Sequence, residues 1–205
     1  YQWSKDSSAI DGATNKSLTL DSVSSSEAGD YTVVVTNAGG QAESDVVTVN
    51  VIEPVTIVTQ PEGGSVILGD PVTLKVVVEG AGPISYFWYH DGELVEGATE
   101  STLRLPKVQV ADSGSYNVLV QNRGGTAISE IAELIVLLPP EITQLTESLT
   151  LIEGESVELG VTATGSEPLA YQWSRDGEAI DGATVPTLRL AKVAPTAAGD
   201  YTVAV

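Results

Sequence analysis

Three stretches decide the fold: YQWSKDSSAIDGAT at residues 1–14, YFWYHDGELVEGAT at 86–99 and YQWSRDGEAIDGAT at 171–184. They align without a gap, so Tyr1, Tyr86 and Tyr171 open the same pattern every 85 residues. Each is followed by a short apolar alternation, Leu18 and Leu20, Leu103 and Leu105, or Leu188 and Leu190. A valine comes next (Val23, Val108, Val193), then a Gly-x-Tyr-x-Val unit starting at Gly29, Gly114 and Gly199. An ungapped three-fold match of this length marks repeated domains, and it overrides any domain count taken from length alone.

The spacing within a repeat is that of strands. Alternation over four to eight residues marks a half-buried strand, and Asp-Gly or Gly-Gly marks the turns between strands. Val72, Leu74, Val76 and Val78 fall on one face of such a strand, with Thr73, Lys75 and Val77 on the other. Trp88 lies twelve residues after Val76, and Tyr116, Val118 and Val120 share the inner face of a later strand. Asn122-Arg123-Gly124-Gly125 predicts a hairpin, matched by Asn37-Ala38-Gly39-Gly40. Many short strands without helical periodicity predict an all-β chain built of two-sheet antiparallel sandwiches in tandem.

Composition agrees and excludes several functions. The 205 residues contain 9 Lys plus Arg against 28 Asp plus Glu, a net charge of −19, and the excess is spread evenly along the chain. Such a surface repels the phosphate backbone and an anionic bilayer, so neither nucleic-acid binding nor membrane docking is expected. No apolar run is long enough to span a membrane. Zero cysteine means no disulfide and no thiolate metal site.

The order Val-x-Leu-x-Val, a Trp about a dozen residues on, then Asp-x-Gly-x-Tyr-x-Val resembles the immunoglobulin fold, nearest to its intermediate (I-set-like) type. The resemblance implies that Trp3, Trp88 and Trp173 are the buried core indoles, and that Tyr31, Tyr116 and Tyr201 form tyrosine corners two residues before the second cysteine site. Valines stand at the cysteine sites, Val76 with Val118 and Val161 with Val203. The phrase Asp-Gly, Gly-Ala-Thr, Leu-x-Leu, Ala-Gly-Asp-Tyr-Thr-Val is similar to the cysteine-free immunoglobulin-like repeats of very large bacterial cell-surface proteins. A disulfide is worth about 2–5 kcal/mol to a small domain. Apolar burial of the Val pair at about 25 cal/mol per Å² offsets part of that, so the repeats are expected to fold without oxidation.

Read on that frame, residues 1–53 are a partial domain (strands C to G), 54–138 a complete one, and 139–205 a partial one (strands A to F). The expectation is a window from a longer array, with completion by strands donated from another chain as the alternative. Joints are short: Val51-Ile52-Glu53 runs into Pro54, and Leu137-Leu138 into Pro139-Pro140, with no Gly/Ser spacer. A semi-rigid rod follows.

No catalytic constellation is legible. His90 is the single histidine, its counterparts are Lys5 and Arg175, and it reads as a solvated residue beside the Asp91-Gly92 turn. Glu93 and Glu96 read as solvated turn residues, and no Asp-x-Asp-x-Asp calcium loop is present, although Glu53, Asp70 and Glu141 are candidate calcium ligands at the joints. Asn15-Lys16-Ser17 is a lone glycosylation sequon. No catalytic residue, cofactor or metal site is assigned.

One difference among the repeats points to a contact. Beside the core Trp, the outward residues are Gln2 and Ser4, then Phe87 and Tyr89, then Gln172 and Ser174. On the neighbouring strand they are Val34, Leu119 and Ala204. Phe87, Tyr89 and Leu119 thus form a candidate protein-contact patch on the middle repeat alone. The first repeat also matches the third better than it matches the middle one, which suggests sticky and plain faces alternating along an array.

The expected function is a structural or adhesive extracellular or cell-surface array, either a stalk or a self-associating filament, and not an enzyme. Its partners are neighbouring domains of the same chain and laterally associating chains. The alternatives are a ligand-binding adhesin, ancillary domains of a larger surface enzyme, and a cytosolic muscle-type array.

Overall fold

The computed structural model describes residues 1–205 and is all-β apart from three one-turn 3-10 segments, Ser25–Glu27, Val110–Asp112 and Pro195–Ala197. No helix is long and apolar enough to cross a membrane. Two units arise from the chain's own contacts. One comprises Tyr1–Glu62, Thr73–Leu103 and Ser115–Ala132; the other comprises Gly63–Val72, Arg104–Gly114 and Glu133–Val205.

In the first unit, the opening repeat forms one antiparallel sheet in the order Ser8–Ala9, Gln2–Lys5, Gly29–Asn37, Gly40–Glu43, with Val47–Val49 also on Gly29–Asn37. The middle repeat lays down the same pattern: Glu93–Leu94 on Ser85–His90, then Gly114–Asn122, then Gly125–Ile128. Asn37 faces Gly40 and Asn122 faces Gly125, so both Asn-x-Gly-Gly segments make the expected hairpin. Thr56–Thr59 pairs with Val77–Glu79 across a bulge between Ile57 and Thr59.

Alternation is reproduced residue by residue. Leu74 and Val76 are buried while Thr73, Lys75 and Val77 are exposed, and Tyr116, Val118 and Val120 are buried on the strand that carries them. Trp88 has no exposed surface.

The second unit shows both layers of a sandwich in the third repeat. One sheet orders Glu141–Leu145, Val157–Thr164, Thr187–Leu190; the other orders Glu178–Ala179, Gln172–Arg175, Tyr201–Ala204. Between them Val161, Trp173 and Ala183 are buried, with Leu159, Tyr171, Ile180, Leu188 and Val203 packed against them. Val161 and Val203 therefore sit on the indole, where the resemblance placed the cysteine sites.

Two expectations need correction. Pairing is not wholly antiparallel, because Gly64–Ile67 runs parallel to Ala132–Leu137. The chain leaves its first ladder at the buried Pro61, which has no N–H to donate, and takes up a second partner a few residues on. Gly63 allows the approach: a β-carbon there would lie 2.0 Å from the Glu133 carbonyl oxygen. The second correction concerns Leu18 and Leu20, which do not form a strand. Their counterparts Thr187–Leu190 bond to Val157–Gly160, a pairing that Leu18 and Leu20 do not make.

Candidate interaction face

The signature residues form one construction that is repeated with small variations. Each indole N–H donates to the carbonyl twelve residues on: Trp3 to Asn15 at 3.0 Å, Trp88 to Glu100 at 2.9 Å and Trp173 to Val185 at 3.0 Å. Trp88 and Trp173 are buried with their one donor satisfied, whereas Trp3, expected as a core indole, is only half-buried. Tyr31 donates its hydroxyl to the Glu27 carbonyl at 2.7 Å, and Tyr201 donates to Ala197 at 2.8 Å. These bonds back to the residue four earlier tie each tyrosine to the 3-10 turn before its strand.

His90 departs from the solvated reading. Its ring stacks on Tyr116, with centroids 4.4 Å apart and planes within 6°, and its Nε2 lies 3.4 Å from Asp91 Oδ2. The register explains why, because His90 lies directly opposite Tyr116. Lys5 and Arg175 sit opposite Tyr31 and Tyr201 and donate to Ser26 and Thr196 carbonyls in the 3-10 turns. This position covers the tyrosine corner in all three repeats.

Glu93 and Glu96 are exposed, as expected of turn residues. No group of three or more His, Cys, Asp or Glu side chains that could hold a metal ion is present, Glu53, Asp70 and Glu141 included. Asn15 is exposed, and its carbonyl receives the Trp3 indole.

Phe87, Tyr89 and Leu119 do share one face. Phe87 lies directly opposite Leu119, and Leu119 opposite Ile128, which makes one apolar row across three strands. The adjacent row is Leu94, Tyr89 and Asn117. Phe87, Tyr89 and Leu119 are half-buried by their neighbours, whereas Leu94 and Ile128 are 52% and 63% exposed. Sequence reading missed these last two, although their signal was present: Ala9 and Glu43 stand at the corresponding positions of the first repeat.

The same rows are polar elsewhere. Gln2, Val34 and Glu43 align in the first repeat, and Gln172 with Ala204 in the third. Gln2 folds flat, its carboxamide donating to Trp3 and Ile10 carbonyls at 2.9 and 2.8 Å. Gln172 does likewise toward Trp173 and Ile180 at 2.8 and 3.0 Å. The glutamine seals its own hairpin, whereas Phe87 has no donor and leaves an aromatic ring on the face.

Two further elements escaped the sequence reading. Ser129, buried, accepts the Val118 N–H at 3.0 Å and donates to the Glu130 carbonyl at 2.8 Å; Ser44 repeats this with Val33 and Asp45. Asn122, also buried, donates to Glu53 and Ala81 carbonyls at 2.7 and 2.8 Å while its Oδ1 accepts the Gly124 and Gly125 N–H groups. The residue joining the first repeat to the middle one is thus bonded to the middle repeat's own turn.

An immunoglobulin-domain family model matches residues 54–122 and 139–205, most of the chain. The chain belongs to the immunoglobulin-domain family. It is 31% identical to mouse hemicentin-2 over 207 aligned residues, covering 94% of this chain and 4% of that protein. It is 31% identical to rat Roundabout homolog 1 over 186 residues, covering 85% of this chain and 11% of that one. The chain therefore spans a small fraction of these relatives' length. Among solved structures, the I67–I69 I-band fragment of titin superposes with a TM-score of 0.77 at 22% identity, over 98% of this chain and 81% of the fragment; that likeness speaks for the tandem immunoglobulin fold alone. These relatives are animal proteins, so the tie to bacterial surface repeats rests on the sequence phrase by itself.

Proposed function

We propose that this chain is part of a structural and adhesive immunoglobulin array at the cell surface or outside the cell, in which sandwiches in series set a length and carry load. Domain boundaries at 53/54 and 138/139 belong to this reading. The observation that carries it is the anchoring of both joints. Glu53, the last residue before Pro54, offers its carbonyl to Asn122 Nδ2 at 2.7 Å and to the Ala81 N–H at 3.2 Å. Leu138, just before Pro139, donates its N–H to Ser166 Oγ at 2.8 Å and accepts the Ser166 N–H at 2.9 Å. Residues 81 and 166 are one repeat apart, so the same point of the fold holds each incoming linker. A bonded linker ending in proline has little freedom to act as a swivel.

The extracellular setting is supported by likeness to hemicentin and Roundabout proteins, which are extracellular or cell-surface adhesion proteins. The bacterial-surface version of the reading is supported by the absence of cysteine and by the Val pairs that take the cysteines' place. Load is carried by strand hydrogen bonds and needs no reacting group.

Negative-stain electron microscopy of the longest native protein containing these repeats tests the reading. Separate beaded rods or fibres of constant width are the expected images, with about 3–4 nm added per repeat. Repeats pointing in random directions from one joint to the next would overturn it. A variant with four Gly/Ser residues inserted between Glu53 and Pro54 supplies the flexible reference.

A further inference from the structure

Four Asp-Gly dipeptides occur in the chain, at 11–12, 91–92, 176–177 and 181–182, and the fold holds them in two different ways. Asp91 and Asp176 are pinned through backbone and side chain alike. Asp91 donates its N–H to the Ser115 carbonyl at 2.8 Å, and its Oδ1 accepts the Ser115 N–H at 2.8 Å. Asp176 makes the same two bonds with Asp200, both at 2.8 Å. Asp11 and Asp181 lie exposed in a different turn, and no hydrogen bond or salt bridge holds either carboxylate.

That other turn recurs in all three repeats. Ala13, Ala98 and Ala183 donate to the carbonyls of Ile10, Val95 and Ile180 at 3.2, 3.2 and 3.1 Å, so the two residues between form the centre of a β-turn. Gly12, Gly97 and Gly182 take its second central position at φ of 70°, 78° and 72°, where a side chain would be strained. A β-carbon at Gly12 or Gly182 would meet no atom within 4 Å, so the turn stands clear and has room to rotate. The residue before the glycine is Asp in the first and third repeats and Glu96 in the middle one.

We propose that Asp11 and Asp181 are sites of spontaneous isomerisation to isoaspartate, a reaction from which their bonds protect Asp91 and Asp176. The glycine nitrogen attacks the aspartyl Cγ. A C–N bond forms, the Cγ–O bond of the carboxyl group breaks, and the nitrogen's proton leaves with the hydroxyl as water. Water then adds to the backbone carbonyl of the resulting succinimide ring, and cleavage of its C–N bond leaves the chain running through Cβ and Cγ. Mass is unchanged, and water is the only co-reactant. Glycine favours the attack because no β-carbon crowds its nitrogen. A carboxylate bonded to an N–H of a distant strand is kept from turning its carbon toward the next residue. Glu96 would have to close a six-membered ring, which forms far more slowly, so this turn of the middle repeat is spared.

The modification acts on the core. Trp173 donates its N–H to the Ala183 carbonyl at 3.0 Å and accepts the Ile180 N–H at 2.9 Å, and Trp3 does the same with Ala13 and Ile10. An extra backbone atom between Ile180 and Ala183 strains this pair of bonds, and Ala183 is buried in the same core as Trp173. Isomerisation therefore loosens the Trp173 core as the protein ages.

Peptide mapping of the 205-residue chain, aged for weeks at neutral pH, tests this, because electron-transfer fragmentation separates isoaspartate from aspartate at equal mass. Isoaspartate should accumulate at Asp11 and Asp181 about ten- to a hundredfold faster than at Asp91 and Asp176, where a charge-assisted bond must first open. In denaturant that difference should vanish. The double variant D11E/D181E copies Glu96 of the middle repeat. It should stay unmodified in both turns and keep its melting temperature while the aged native chain loses some. Gly199→Ala sets a β-carbon 2.6 Å from Asp176 Oδ2 and, by displacing that carboxylate, should start isomerisation at Asp176 but not at Asp91.

Equal rates at all four sites in the folded chain overturn the proposal. So does a folded chain free of isoaspartate at Asp11 and Asp181 over a period in which the denatured chain forms it. Equal loss of melting temperature by the native chain and the double variant refutes the effect on the core.

Discussion

The Asp176 carboxylate lies directly over Gly199: a β-carbon at 199 would be 2.6 Å from Asp176 Oδ2. The same carboxylate accepts the Asp200 N–H at 2.8 Å, and the Asp176 N–H returns the bond to the Asp200 carbonyl at 2.8 Å. Asp6 and Asp30 repeat this pair, as do Asp91 and Ser115, each 24 residues apart. Asp176 holds a φ of 52°, which Asp tolerates better than most residues. The turn aspartate (Asp6, Asp91 or Asp176) and the Gly-x-Tyr-x-Val unit, far apart in sequence, are therefore two halves of one lock, and this explains why both recur in every repeat.

Gly199→Ala should push the carboxylate off the Asp200 N–H, and Asp176→Gly removes the carboxylate while keeping the turn's backbone accessible. Each alone is expected to destabilise by about 1–3 kcal/mol, the usual cost of a lost charge-assisted bond. The double variant should cost clearly less than the sum, because once the carboxylate is gone the methyl group's three nearest neighbours are gone with it. Urea titration of the four proteins measures the coupling.

Asn122→Ala leaves the Glu53 and Ala81 carbonyls and two turn N–H groups short of partners. A stability loss of about 1–3 kcal/mol is expected. Amide hydrogen exchange should quicken from Glu53 to Val55 and at Gly124 and Gly125, while the Trp173 core stays protected. Asn122→Asp should be worse than Ala, since it sets a carboxylate against two carbonyl oxygens that now receive an N–H donor.

Ser129→Ala removes the acceptor of the Val118 N–H in a buried place. A loss of about 1–3 kcal/mol is expected, and Ser129→Thr, which keeps the hydroxyl, should recover part of it. Thermal unfolding of the three proteins distinguishes the lost bond from lost volume.

The Glu27 carboxylate is held at about 2, from an ordinary 4.5, by hydrogen bonds from the Ser26 and Ser24 hydroxyls and the Ser24 N–H. Its folded value is depressed, so its contribution is complete above about 4.5 and fades as pH falls toward 2. NMR titration of the Glu27 side chain should give the low midpoint, and Glu27→Gln should flatten the acid-side loss of the Ser25–Glu27 turn.

Trp88→Phe keeps most of the apolar bulk but loses the donor to the Glu100 carbonyl and opens a void at a side chain with no exposed surface. About 2–4 kcal/mol of destabilisation is expected, combining lost volume with the lost hydrogen bond. Equilibrium unfolding measures it.

Much of this molecule follows from its sequence alone. The 85-residue period, the strand alternation around Leu74 and Val76, both Asn-x-Gly-Gly hairpins and the buried Trp were readable because each rests on local periodicity or on turn chemistry. The pairing of Phe87 with Leu119 was readable too, since the repeats could be compared position by position. What the sequence could not show were relations between residues far apart whose types are common. Nothing in Asp-Gly and Gly-x-Tyr says that one carboxylate sits on the other's glycine, and His90 looked solvated until the register set it on Tyr116. Asn122 read as an ordinary turn residue and Ser129 gave no signal until tertiary structure buried them beside backbone groups that need partners. Leu94 and Ile128 joined the apolar face only once hydrogen bonding aligned four strands. Local patterns determine which segments become strands and which side faces inward; long-range register, which depends on the whole sheet, decides which polar groups must satisfy one another and which apolar ones are left facing out.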